Sequence, residues 1–415
     1  MKRLEALLQQ LCPDGVIYKR LGDIATITRG GNFQKKDYRE NGFPCIHYGQ
    51  IYTKFNLFVT EPISHISDEK AAQQKKAKPG DIIMAVTSEN IEDVCKCIAW
   101  LGNREIAVSG HAAIIHHRLN PKFLAYFLSS SLFYKQKLSM AQGTKVIEVS
   151  PEKLKNILLP VPPLEVQQEI VRILDHFTEL TAELTAELTA REKQHQYYTQ
   201  HLYDSIKEKG VPVVCVKDVC DLLTGFPFDS SHFVSEGIHL LRGMNIKRGF
   251  LDCSDGNNRY WNTVKGYEKF LLADDDIVIA MDGSLVGKSY GQVKKQHLPV
   301  LLVQRVTRVR ATKINAHYLY HYISSGAFTK YVEQKKTGGA VPHISMKDIE
   351  NFTLPLPPEK LQEEISEVLD RFDALCNDLT SGLPAEIAAR QKQYEYYRDK
   401  LLTFKKKASD SFRGE

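Results

Sequence analysis

Apolar residues between positions 170 and 188 fall at Ile170, Leu174, Phe177, Leu180, Leu184 and Leu188, at spacings of 4, 3, 3, 4 and 4. That spacing keeps one face of an α-helix apolar. The same intervals recur at Ile365, Leu369, Phe372, Leu375, Leu379 and Leu383, so two helical seams of matching design are predicted, each suited to receive another helix. A proline-rich stop precedes each, Leu159-Pro160-Val161-Pro162-Pro163 and Leu354-Pro355-Leu356-Pro357-Pro358. Proline is tolerated at a helix start but not inside, which sets the predicted starts near 163 and 358. The first helix would run to about Ile206, on the order of 66 Å at ~1.5 Å per residue. Within it, residues 178–191 read TELTAELTAELTAR. The second is expected to break near Gly382, with Pro384 starting a new segment.

Elsewhere the pattern changes. Short β-branched runs such as Asp81 to Val86 and Ala112 to Ile115 alternate with Gly, Asn and Asp turns, which predicts strand-rich α+β globules. A helix is expected from Pro121 to about Leu138. Sliding the chain against itself by 195 residues brings five separated blocks into register: 20–30 over 215–225, 45–51 over 240–246, 80–85 over 275–280, 120–130 over 315–325, and 158–177 over 353–372. The chain is therefore read as an internal duplication. Predicted boundaries are a first globule at 1–158, a long helix at 159–208, a second globule at 209–353, a second, interrupted helix at 354–406 and a polar tail at 407–415.

Composition narrows the class. With 415 residues, 43% hydrophobic and 25% charged, the chain can bury more than one core. No run approaches the roughly 18 apolar residues of a membrane span, and the start lacks a signal-peptide core, so a cytoplasmic location is expected. The eight cysteines are scattered without paired CxxC spacing, which argues against zinc. Net charge is +5, a mild excess that permits nucleic-acid binding without demanding it.

Catalytic motifs are missing. Asp282 to Ser289 resembles a phosphate loop but is one residue short, with an acid where its glycine should stand. No methyl-transfer, zinc-protease or serine-hydrolase signature stands out, and His116-His117 reads as surface or core.

The duplicated unit, the LP-x-PP-x-x-x-Q-x-x-I entry into each long helix (Leu159 to Ile170, Leu354 to Ile365), the segment 390–402 and the Thr-Ala-Glu-Leu repeat together resemble the DNA-specificity subunit of type I restriction-modification enzymes. That resemblance implies two target-recognition domains separated by two long antiparallel helices, with pseudo-twofold symmetry. It further implies a chain without catalytic activity, which reads a split asymmetric site in double-stranded DNA. Two modification subunits would dock on it and methylate adenine with S-adenosylmethionine; restriction subunits would add ATP and magnesium chemistry. No cofactor or metal is expected on this chain itself.

Bases are read by polar side chains on loops of a rigid scaffold. Candidates in the first globule are Arg29, Asn32, Gln34, Lys35, Lys36, His47, Tyr48, Gln50, Lys54, Thr87, Ser88, Asn90 and His111. The second offers Thr224, Phe226, Arg242, Asn245, Lys247, Arg248, Ser284, Lys288 and Arg305, with 335–339 a weaker choice. Candidate seam and docking positions are Ile170, Leu174, Phe177, Leu180, Leu184, Leu188, Leu369, Phe372, Leu375 and Leu379, together with Tyr197, Tyr198, Tyr396 and Tyr397. Two other classes stay open: a specificity module with its own methyl-transfer or cleavage activity, which predicts methyl-donor binding, and a scaffold that reads no bases.

Overall fold

A computed structural model describes residues 2–407, apart from 255, 257, 338–340, 379 and 380. The chain forms two compact units, one of residues 1–184 and 387–415, the other of residues 185–386. Each is α+β, as the alternation of strand and helix patterns predicts.

In the first unit the strand Ala112–His117 lies between Ala25–Arg29 and Ile82–Ala85, antiparallel to both. Ile82–Ala85 continues antiparallel to Cys97–Trp100. All four residues of Ile82–Ala85 are buried, because alternate side chains enter different cores. Ile82 and Met84 face the helices, among Phe123, Leu124, Ile170 and Leu174. Ile83 and Ala85 face Ile46, Ile106 and Val108, of a second sheet in which Phe43–Ile46 and Ile106–Val108 run parallel. A strand buried on both faces reads as a continuous apolar run, which is how it stood out in the sequence.

The second unit repeats this plan. Val306–Ala311 lies between Cys220–Thr224 and Ile277–Ala280, antiparallel to both. Ile277 and Ile279 enter a core with Tyr318, Leu319, Ile365 and Leu369. Val278 and Ala280 enter another with Leu240, Leu301 and Leu302.

The first long helix is continuous from Leu164 to Glu208, 45 residues. The border between the two units falls inside its repeat, between Leu184 and Thr185. Thr178, Thr181 and Thr189 donate their hydroxyls to the carbonyls four residues back, at 2.8 to 3.0 Å, so the repeat satisfies its own polar groups within the helix. The second rod is interrupted: one helix spans Glu359–Asn377 and another Leu383–Leu401. In the second unit Tyr198 and His195 meet Phe372 while Glu192 and Arg191 act on Cys376, the order of antiparallel helices.

The repeated glutamine of the proline stop has a structural task. Gln167 Nε2 donates to the Pro162 carbonyl at 2.8 Å and its Oε1 accepts from the Asn120 amide at 2.8 Å. Gln362 does the same for Pro357, at 2.7 Å, and Asn315, at 2.8 Å. Asn120 and Asn315 in turn cap the helices beginning at Pro121 and Ala316. One buried amide therefore ties the start of the long helix to the start of the helix it packs on.

Chain closure in the first unit uses its last described residues. The Val16 amide donates to the Lys405 carbonyl at 2.8 Å and the Lys407 amide to the Val16 carbonyl at 2.9 Å.

Two sequence expectations need correction, the single helix and the position of Leu375, and others fall on undescribed residues. The helix expected from Pro121 to Leu138 is two helices, Pro121–Leu128 and Ser131–Met140, because Ser130 caps the second. Leu375 is exposed and Cys376 takes the buried seam position, because three residues beyond Phe372 advance a helix only about 300°, so Leu375 has rotated off the face that Ile365 and Leu369 define. Leu379, and positions 338–339 of the weaker loop, lie outside the described residues.

Candidate nucleic-acid interface

In the first unit the polar loops of the sheet ends converge. His47 caps a short helix, Tyr48–Thr53, its Nδ1 accepting from the Gly49 amide at 3.2 Å. Tyr48 lies 4.5 Å from the His47 ring and 5.0 Å from the His111 ring. His111 Nδ1 and the Thr87 hydroxyl are 3.2 Å apart. Burial lowers the pKa of His47, and Lys35 and His111 add to that effect, so the neutral form of the His47 ring is favoured. Arg29 is held by the Gly110 carbonyl at 2.7 Å and by Glu148 at 2.9 Å. Asn32, Gln34, Lys35, Lys36 and Lys54 are exposed, and Ser88 is half-buried.

Several candidates are spent internally. Gln50 is buried, its Oε1 accepting from the His47 amide and its Nε2 donating to Ser64 at 2.6 Å. Thr87 is buried as well. Asn90 braces its own turn through Asp93, at 2.8 and 2.9 Å. These three hold loops in place.

The second unit places Arg242 to Arg248 at the matching position. Asn245 is wholly buried, its Oδ1 accepting from the Arg242 amide at 3.1 Å and its Nδ2 donating to the Asp252 carbonyl at 3.0 Å. It shapes the loop and offers no free edge to a base, which corrects the expectation. Phe226 is likewise part of an aromatic cluster with Phe228, Tyr267 and Phe270. Thr224 donates toward the Met346 sulfur at 3.5 Å. Lys247 lies 3.8 Å from Asp252, and Arg305 pairs with Asp282 at 2.8 Å. Asp282 also bonds His343. The stretch resembling a phosphate loop is thus a connection between the antiparallel strands Ile277–Ala280 and Tyr290–Gln292, with Ser284 exposed. A phosphate loop opens a helix; this one closes a hairpin.

Arg248 and Lys288 go elsewhere. They line a cavity of about 440 Å³ together with His195 and Thr199 of the long helix and with Lys330. The first unit has a cavity of about 440 Å³ lined by Asp93, Tyr394 and Arg398 among others. Sequence reading missed both, because the helix residues involved lie off the apolar seam and carry no motif. Along the helices, Tyr197, Tyr198 and Tyr396 are exposed, whereas Tyr397 stacks on Phe177 at 5.3 Å and packs into the core. Tyr397 is half-buried there and presents less free surface than the other three.

Two globules on one plan, each presenting polar loops at the same end of its sheets and each packed on its own stretch of a long helix, define a duplicated recognition module. A family model described as the type I restriction modification DNA specificity domain matches residues 13–191 and again 208–389. The chain belongs to this family, the DNA-specificity subunits of type I restriction-modification systems. A type I restriction enzyme specificity subunit of Escherichia coli is 36% identical over 267 residues, 62% of this chain and 65% of that one. A putative one of Haemophilus influenzae is 28% identical over 313 residues, 74% of this chain and 76% of its own. Among solved structures, a type I S subunit from M. genitalium matches with a TM-score of 0.54 at 12% identity, covering 94% of this chain and 96% of that one. A chain from a study of complex assembly and conformational transition in a type I system matches with 0.57 at 18%, covering 94% and 97%. These two support the fold.

Proposed function

We propose that this chain is the DNA-reading, non-catalytic component of a type I restriction-modification assembly, with each globule reading one half of a split, asymmetric site. The observation that carries this reading is a repeated scaffold with unrepeated loops. The pairing of Tyr18–Arg20 with Leu158–Pro160 recurs at the 195-residue offset in Val213–Cys215 with Thr353–Pro355, and that of Ile82–Ala85 with Ala112–Ile115 recurs in Ile277–Ala280 with Val306–Val309 at offsets of 195 and 194, while HYGQIYTK at 47–54 gives way to RGMNIKRG at 242–249. One framework bearing two sets of polar side chains is what reading two different half-sites requires.

Modification subunits dock along the long helices, where Tyr197, Tyr198 and Tyr396 supply exposed aromatic surface of the kind enriched at interfaces. Restriction subunits join through them. S-adenosylmethionine, ATP and magnesium belong to those partners. The test is sequencing that detects methylated adenine in cells expressing this chain with its modification partner. A new split motif is expected, and the absence of any new motif overturns the reading.

The Thr-Ala-Glu-Leu repeat acts as a ruler in this scheme. Four residues add about 6 Å and about 400° of rotation, so one more unit lengthens the rod and nearly preserves its apolar face. Deleting residues 185–188 should shorten the unspecified spacer by about one or two base pairs, at ~3.4 Å each, and leave both half-sites unchanged. Altered half-sites with an unaltered spacer would sink the ruler.

A further inference from the structure

The cavity of the second unit holds an inconsistency that a ligand would resolve. Thr199 is 5% exposed, and its hydroxyl has no hydrogen-bond partner among the described residues. Threonines 178, 181 and 189 of the same helix bond back to their own turn; Thr199 does not, and it lines the cavity instead. His195, one turn earlier, faces Asp373 through Nδ1 at 3.8 Å, while its buried Nε2 is unpartnered. Leaving a buried polar group unsatisfied costs about 1–3 kcal/mol, so native proteins keep few.

The charge at the wall points to what is missing. Arg248, Lys288 and Lys330 line the cavity against one acid, Glu192, and among the described residues none of the three cations has a carboxylate within ion-pair distance. Glu333 acts on Lys288 but is paired with Lys336 at 2.6 Å. The first unit supplies an internal contrast. At matching positions Cys95 stands for Lys288, since Cys97 pairs with Met84 as Tyr290 does with Ile279, and Arg398 stands for Thr199. Arg398 is bonded to Asp399 at 3.0 Å and lies over the Tyr394 ring. Of the two cavities, only that of the second unit combines a net positive wall with stranded polar atoms among the described residues.

We propose that this cavity binds a phosphate group, with Arg248, Lys288 and Lys330 supplying charge and the Thr199 hydroxyl and His195 Nε2 supplying hydrogen bonds. Arginine and lysine around a tetrahedral oxyanion form charge-assisted bonds that survive burial. The phosphate is either free, as the ion or a phosphomonoester, or a diester of the DNA backbone.

Inorganic phosphate is the probe, titrated into the full chain at matched ionic strength. Phosphate should raise the melting temperature of the wild type and broaden its own 31P resonance. Thr199→Val should bind about 10-fold more weakly, a loss of ~1.4 kcal/mol. Without phosphate it should be no less stable than the wild type, since it removes an unpaired hydroxyl at constant shape. Lys288→Gln provides a second variant with the same expected loss of binding, and Thr189→Val a control with none.

Sulfate, whose charge is constant over this range, should bind more tightly as pH falls from 8 to 6 in the wild type but not in His195→Gln, because an anion favours the protonated ring. A short DNA duplex that displaces phosphate identifies the diester; a duplex bound together with phosphate identifies the free ion. Equal phosphate effects in the wild type, Thr199→Val and Lys288→Gln, or effects no greater than those of chloride, overturn the proposal.

Discussion

Gln167 and Gln362 show how much of a duplicated fold rests on single amides. Each closes two hydrogen bonds from within the core. Gln362→Ala should destabilise the second unit by about 1–3 kcal/mol in a denaturant titration, since it strands a proline carbonyl and the amide of a helix cap. A second residue-scale expectation concerns pH. In the first unit Lys122 and Tyr126 bind Asp175 at 2.6 and 2.7 Å; in the second, His317 and His321 bind Asp370, both at 2.7 Å. The bond to Asp370 raises the pKa of His317. Burial works to raise the Asp370 carboxyl, but hydrogen bonds from both histidines outweigh it and hold the carboxyl below its usual range. A raised histidine contributes stability that is complete below its unfolded value, ~6.5, and is lost as pH rises through the folded value. His317→Lys should therefore lose less melting temperature than the wild type between pH 6 and 8.5. His195, His239 and His297, which burial lowers, act in the opposite sense in both proteins and cancel in the comparison. At this scale the sequence was least legible: Asn245 and Lys247 look equally suited to a base edge, and only tertiary burial separates the wholly buried brace from the half-buried cation.

Elements were far more legible, because their signals are periodic or steric. Both proline stops sit where the helices begin, at Leu164 and Glu359, and the break near Gly382 is present. Gly382 also explains why that break needs glycine. A Cβ there would stand 2.6, 2.7 and 2.8 Å from the carbonyl oxygens of Ala374, Asp378 and Leu375. Gly382→Ala should push the chain off the end of the preceding helix and cost about 1–3 kcal/mol, seen as a lower denaturation midpoint. The seam was read correctly as far as Phe372. It failed at Leu375, where a repeated interval in the sequence no longer tracks the rotation of a straight helix.

For the whole molecule, the 195-residue offset revealed the duplication because strands buried on both faces and proline-capped helices tolerate little change, while the loops between them vary freely. The same freedom hid the cavities, whose walls draw residues from distant segments. Exchanging loop 242–249 for that of a relative should change one half of the methylated motif and leave the other intact, a result that methylated-adenine sequencing reads directly. A scaffold that reads no bases would show no change. The stitching of Val16 to Lys405 and Lys407 has a further consequence, in time. Residues 185–386 form their unit from one continuous stretch, whereas the unit that starts first needs residues 387–407 for most of its last helix and for the bridge that closes it. On the ribosome the later half can finish folding while the earlier half still waits with an open edge. The most vulnerable stage of this protein's synthesis is therefore the interval before residues 387–407 are added, and a chain ending at residue 386 should resist protease in its second half but not in its first.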